Sequence, residues 1–116
     1  MIGLDTNVLV HSIVEGDPEQ TARARSALAT RCGADVPGYV THVVLCELVW
    51  VLRRSYGLSR LTVARILDHL TRQEAIVVEG SAMVRVAVEE YAGTNVDFAD
   101  VLIGLIHRAA GCSTTL

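Results

Sequence analysis

The feature that most constrains this chain is an alternation: short apolar runs with strand character are each followed by two stretches with helical spacing. The first run, Ile2–Asp5, leads into a helical pattern from Thr6 to about Glu15. Asp17-Pro18 reads as an N-cap followed by proline at the first helical position. The helix it opens runs to about Cys32 and stops at Gly33. Pro37-Gly38 introduces a second run, Tyr39–Thr41. Helices follow over about Val43–Tyr56, ended by Gly57, and over Leu61–Arg72, capped by Ser59. The third run, Ala75–Glu79, precedes helices over Ser81–Tyr91 and about Phe98–Ala110. Gly111 ends the last of these, and "CSTTL" predicts the start of a fourth strand.

Strands separated by helices connect through crossovers, which implies a mainly parallel sheet with helices on both faces. The 116 residues are the size of one domain. Hydrophobic residues make up 51% of the chain and aromatics only 4%, so the expected core is aliphatic: Val, Leu, Ile and Ala. In open parallel sheets, ligands bind outside the carboxyl ends of the strands. Asp5 lies at such an end, and the apolar run before it reads as the central strand of the sheet.

Composition removes several classes of function. The net charge of −3 is not the footprint of a protein that holds nucleic acid by bulk charge. A nuclease stays open, because bound cations can supply a local positive field. The longest apolar stretch, Val43–Leu52, is interrupted by Glu47 and falls well short of the ~20 residues of a membrane span. Asp5 stands where a secretory signal would carry its basic segment. Cys32, Cys46 and Cys112 are scattered without CxxC spacing, which predicts reduced thiols in a cytoplasmic protein.

Three carboxylates sit in apolar company. Asp5 follows "MIGL" and precedes "TNVLV"; capping the helix at Thr6 is one explanation. Glu47, in "VVLCELVWVL", has Val43, Val44, Trp50 and Val51 as its helical neighbours. That predicts a desolvated acid, whose unpaired burial costs several kcal/mol. A buried ion pair with Arg, or a helix tilted toward water, would also account for it. Asp100 lies in the first turn of the apolar "DVLIGLI" helix, with Asp97 one turn earlier as its N-cap.

If the fold brings Asp5, Glu47 and Asp100 together, their mutual repulsion must be relieved by protonation or by a cation. Oxygen ligands without Cys or His favour hard cations, Mg²⁺ or Mn²⁺. Thr6 and Asn7 add a hydroxyl and an amide beside Asp5. The chemistry that follows is metal-assisted phosphoester hydrolysis. Other machinery is missing: there is no GxSxG elbow, no HExxH, no GxxxxGK[ST] loop and no GxGxxG. His11, His42, His69 and His107 lack metal-ligand spacing and read as surface or cap residues. Every basic residue is Arg, so aspartyl-phosphate chemistry that relies on a lysine is excluded.

Three blocks in order, "GLDTNVLV", "LCELVWVLRRSYGLS" and "NVDFADVLIGLIHRAAGC", resemble the PIN-domain family and, within it, the VapC-type toxins of bacterial toxin–antitoxin pairs. The resemblance implies a three-layer α/β/α fold with a short, mainly parallel central sheet. It implies an endoribonuclease whose acidic pocket binds Mg²⁺ or Mn²⁺ and hydrolyses RNA. Carried over, Asp5, Glu47 and Asp100 are the catalytic and metal-binding acids, Asp97 is auxiliary, and Thr6 and Asn7 support the pocket. A homodimer and a cognate antitoxin protein are implied as well. In the family the strand after the last helix usually leads to a further acid. On that pattern residues 1–116 read as a single PIN-like domain lacking its C-terminal end. Arg53 and Arg54 either contact RNA phosphates or favourably end their helix. The alternative reading is a silent PIN-like module that binds an antitoxin or RNA without cleaving.

Overall fold

The computed structural model describes residues 1–116. The order of elements is β1 (Ile2–Gly3), α1 (Thr6–Ile13), α2 (Pro18–Arg31), β2 (Gly38–Val40), α3 (His42–Arg54), α4 (Arg60–Thr71), β3 (Ile76–Val78), α5 (Ser81–Ala92) and α6 (Phe98–Ala109). The three strands form one all-parallel sheet in the order β1-β2-β3. Ile2 aligns with Gly38, and Gly38 in turn with Ile76. This is the expected α/β architecture, with six helices around a short parallel sheet.

Two expectations need correction. The fourth strand does not form: residues 112–116 are exposed and irregular, tied back only by Cys112 N–H to the His107 carbonyl and by a Thr115 hydroxyl contact to His107 Nδ1. The strand character of "CSTTL" goes unused because these residues do not pair with the open edge of β1, and β-propensity without pairing does not make a strand. As a result β1, expected at the centre of the sheet, lies at its edge, and β2 is central.

The local signals in the sequence set the helix starts. Asp17 caps α2 by accepting from Glu19 N–H at 3.0 Å, with Pro18 in the first turn. Ser59 caps α4 through Thr62 N–H at 3.2 Å. Thr41 caps α3 through Val44 N–H at 3.2 Å. Each satisfies an N–H that the helix itself leaves free. Each strand thus leads within a few residues into a helix, and the helix N-termini of α1, α3 and α5 stand along the carboxyl edge of the sheet.

The core is aliphatic, as the composition requires, with two aromatic exceptions. Leu45, Leu48 and Leu52 of α3, Val63 and Leu67 of α4, and Val84 and Ala87 of α5 are fully buried around Val40 of β2. Tyr91 and Phe98 meet edge to face, with centroids 5.7 Å apart, where α5 turns into α6. Close packing reaches the backbone at Gly38. A Cβ there would fall 2.6 Å from Leu4 Cδ1 and 2.9 Å from Leu4 Cγ, so glycine at this position leaves the space that the buried Leu4 side chain fills.

Candidate active-site edge

The expected site residues lie on three elements that pack on one another, since α3 touches both α1 and α6. Asp5 is at the carboxyl end of β1 and is the N-cap of α1, with Oδ1 accepting from Thr6 N–H at 2.8 Å. The cap explanation is therefore real, and it leaves the second carboxylate oxygen free of protein partners. Asp97 is the N-cap residue of α6 by backbone conformation, but its side chain makes no capping bond. Asp100 follows in the first turn of the same helix.

Glu47 corrects a sequence expectation. It is exposed, not desolvated. Two of the neighbours that made its surroundings look apolar are themselves on the surface: Val43 is 75% exposed and Trp50 59%. The helix buries Leu45, Leu48, Val49 and Leu52 instead. Asp5, Asp97 and Asp100 are exposed as well, and none of the four acids takes part in a salt bridge.

Packed elements do not by themselves make a ligand set. No three Asp, Glu, His or Cys side chains are arranged as a group that could hold a metal ion. Of the supporting residues, Asn7 is exposed, whereas Thr6 is buried at 2% exposure and its Oγ1 has no hydrogen-bond partner. An orphaned buried hydroxyl costs about 1–3 kcal/mol. It is a single donor atom, however, and does not make up for the missing convergence of carboxylates. As the side chains stand, no chelating group is preformed; what the edge offers is exposed carboxylates, donors of the type hard cations take, on elements that pack together.

The same sheet edge holds a feature that sequence reading passed over. Glu79, just after β3, accepts from the His42 backbone N–H at 2.8 Å with Oε1, which also lies 3.8 Å from His42 Nδ1. His42 is thus not a free surface residue: its Nε2 is buried without a partner. Gly80 makes room for the ring. It is left-handed at φ +56, and a Cβ there would come within 3.1 Å of His42 Nε2. The sequence signal was "VEG" directly after a β-rich run, an acid and a glycine at a strand's carboxyl end. Cysteine chemistry is absent from the edge. Cys32, Cys46 and Cys112 are free thiols, and burial pushes the Cys46 thiol up, keeping it protonated.

Arg53 and Arg54 occupy the last turn of α3, where positive charge complements the helix dipole. Arg53 Nη1 donates to the Leu58 carbonyl at 2.8 Å and so closes the α3–α4 turn. Arg54 stands over Trp50, 6.0 Å from the ring centroid.

The family model described as PIN domain matches residues 2–114, nearly the whole chain. This chain belongs to the PIN domain family. Comparison with curated proteins finds no match. PIN domains are generally nucleases, hydrolases that usually work with divalent metals. The six helices and three-stranded parallel sheet agree with a PIN-like α/β/α fold. No helix of this PIN domain is long and apolar enough to cross a membrane.

Proposed function

We propose that this PIN domain is an endoribonuclease that hydrolyses RNA phosphodiester bonds with Mg²⁺ or Mn²⁺, and that it serves as the VapC-type toxin of a bacterial toxin–antitoxin pair. Asp5, Glu47 and Asp100 are the proposed catalytic and metal-binding acids, with Asp97 auxiliary. A cognate antitoxin protein and a homodimeric state belong to the same proposal. The observation that carries it is the PIN match over residues 2–114, with Asp5 at the carboxyl end of a parallel strand, where α/β sheets bind their ligands. The cation class rests on donor chemistry, since carboxylate oxygens favour hard divalent ions.

One observation favours a second reading. The acids are exposed and do not form a three-ligand group, which suits a PIN module that binds RNA or a protein partner without cutting. Incubation with total RNA separates the two. The nuclease reading expects cleavage in Mg²⁺, its loss in EDTA, and a drop of about 100-fold or more in Asp5→Asn, which keeps a capping oxygen but removes the charge. Cleavage that persists in EDTA, or that is equal in the variant, overturns the metal-nuclease mechanism. RNA binding with no cleavage in Mg²⁺ or Mn²⁺ moves the assignment to the binding module.

A further inference from the structure

Beside the acidic edge lies a groove with a different chemistry. It has a volume of about 590 Å³ and runs between the end of α3, the start of α4, the end of α5 and the start of α6. That volume falls within the roughly 300–1,000 Å³ of clefts that take small ligands. Trp50, Arg53, Arg54, Arg60, Tyr91 and Asp97 are among the residues that line it.

The floor is built and fixed. Arg60 Nη2 donates to the Tyr91 carbonyl at 2.8 Å and to the Val96 carbonyl at 2.7 Å. Its guanidinium lies 3.9 Å from the Tyr91 ring centroid. These contacts tie α4 to the α5–α6 connection, so the groove keeps its shape without a ligand.

The rim is built but unused. Trp50, the only tryptophan in the chain, is 59% exposed. The Arg54 guanidinium stands over the indole ring, 6.0 Å from its centroid, and makes no hydrogen bond or salt bridge. Arg53 spends one N–H on Leu58 and has no carboxylate partner. Thirteen acids are available in a chain of net charge −3, and none neutralises these two guanidinium groups. An exposed indole with two guanidinium groups one turn further along the helix, neither of them in a salt bridge, fits a nucleotide: the ring stacks on a base, and the free guanidinium N–H groups take phosphate oxygens. A purely apolar partner fits less well, because Glu47 and Arg54 flank Trp50 along the helix and break the apolar surface. The groove adjoins the acids, since Asp97 lines it and Glu47 precedes Trp50 by one helical turn, about 5 Å.

We propose that this groove is a single-strand nucleotide subsite: the Trp50 indole stacks on an unpaired base, and Arg53 and Arg54 hold the phosphates that flank it. The inference rests on the RNA reading above and sharpens it. A base locked in a duplex cannot reach the indole, so the groove selects single-stranded RNA and fixes it next to the acidic edge.

The test uses the full chain in EDTA, where RNA binds uncut. The probe is a short labelled single-stranded oligoribonucleotide, compared with the duplex of the same sequence. Anisotropy of the label reports binding, and the lone tryptophan reports the groove. The expected result is quenched indole emission with the single strand and none with the duplex. Trp50→Leu should bind about 5- to 100-fold more weakly, Trp50→Phe should recover most of that loss, and Arg54→Ala should weaken binding and flatten its salt dependence. Binding with unchanged indole emission and an unaffected Trp50→Leu overturns the subsite while leaving the RNA reading intact. No binding of any RNA by anisotropy takes down both. Indole emission that shifts with protein concentration but not with RNA assigns the surface to a second copy and also overturns the proposal.

Discussion

The two faces of α3 make opposite use of similar residues. The inner face carries Leu45, Leu48, Val49 and Leu52, all buried against the sheet and the neighbouring helices. The outer face carries Val43, Glu47, Trp50 and Arg54, all exposed, spaced four, three and four residues apart along one side. Both faces contain large apolar side chains, yet only one is core. Helical periodicity tells which residues share a side; it does not tell which side is covered when both are apolar. The contrast separates the packing surface of α3 from the surface that is open to a ligand. The face that holds α3 in place is aliphatic and silent, and the face turned to water carries the acid, the indole and the free guanidinium.

The comparison breaks most sharply under truncation. Leu48→Ala removes a fully buried side chain from the inner face, and stability should fall by about 2–5 kcal/mol, read by denaturant titration. Trp50→Leu, about half a turn away on the outer face, should change stability by no more than about 0.5 kcal/mol. Comparable losses at both positions would mean that the outer face is packed against another molecule in solution, and the contrast between the faces would fail.

Much of this architecture was legible in the sequence because several helix starts carry their own chemistry. Asp17-Pro18 and Ser59 name their helices through side-chain oxygens that the structure shows bonded to backbone N–H groups. Pro37-Gly38 marks the entry to β2, and Gly57 the end of α3. What failed depended on partners rather than on local pattern. "CSTTL" has strand character, but a strand forms only where the chain reaches an open edge and pairs with it, and propensity cannot show whether it does. Glu47 looked buried because its neighbours were apolar, and those neighbours are themselves on the surface. The acids were placed on the right elements by the strand-end argument for Asp5 and by the helix-start pattern for Asp97 and Asp100. How their side chains stand toward one another is a tertiary property that spacing does not encode. The groove escaped for the same reason: Arg60, Tyr91 and Asp97 come from three other places in the chain.

A smaller effect is expected at the start of the same helix, where both faces begin. Thr41 Oγ1 accepts from Val44 N–H, and Thr41→Ala should cost about 1 kcal/mol, read in the same titration. Thr41→Ser should restore most of it. An unchanged midpoint in Thr41→Ala would show that the Glu79 bond to His42 N–H holds the end of α3 without help.

The smallest effect distinguishes the outer face of α3 from another wet surface. On α4, Asp68 and Arg72 lie one turn apart and bond at 3.0 Å, whereas Glu47 and Arg54 on α3 stay unpaired. The hydrogen bond from Arg72 holds the Asp68 carboxyl below the usual carboxylate range. The sign follows from linkage: a carboxyl lowered on folding contributes stability above its unfolded value, about 3.9, and loses it as pH falls through the lower folded value. Because the pair is exposed, the contribution is slight and weakens with salt. It is best read by NMR titration of the Asp68 carboxyl, whose midpoint should lie below that of an unfolded aspartate and move back up in Arg72→Ala. If the midpoint stays put in Arg72→Ala, the pair has no energetic reality. The unpaired charges of α3 would then no longer be distinguished from those of α4, and their freedom could not be taken as a mark of a surface kept open for a ligand.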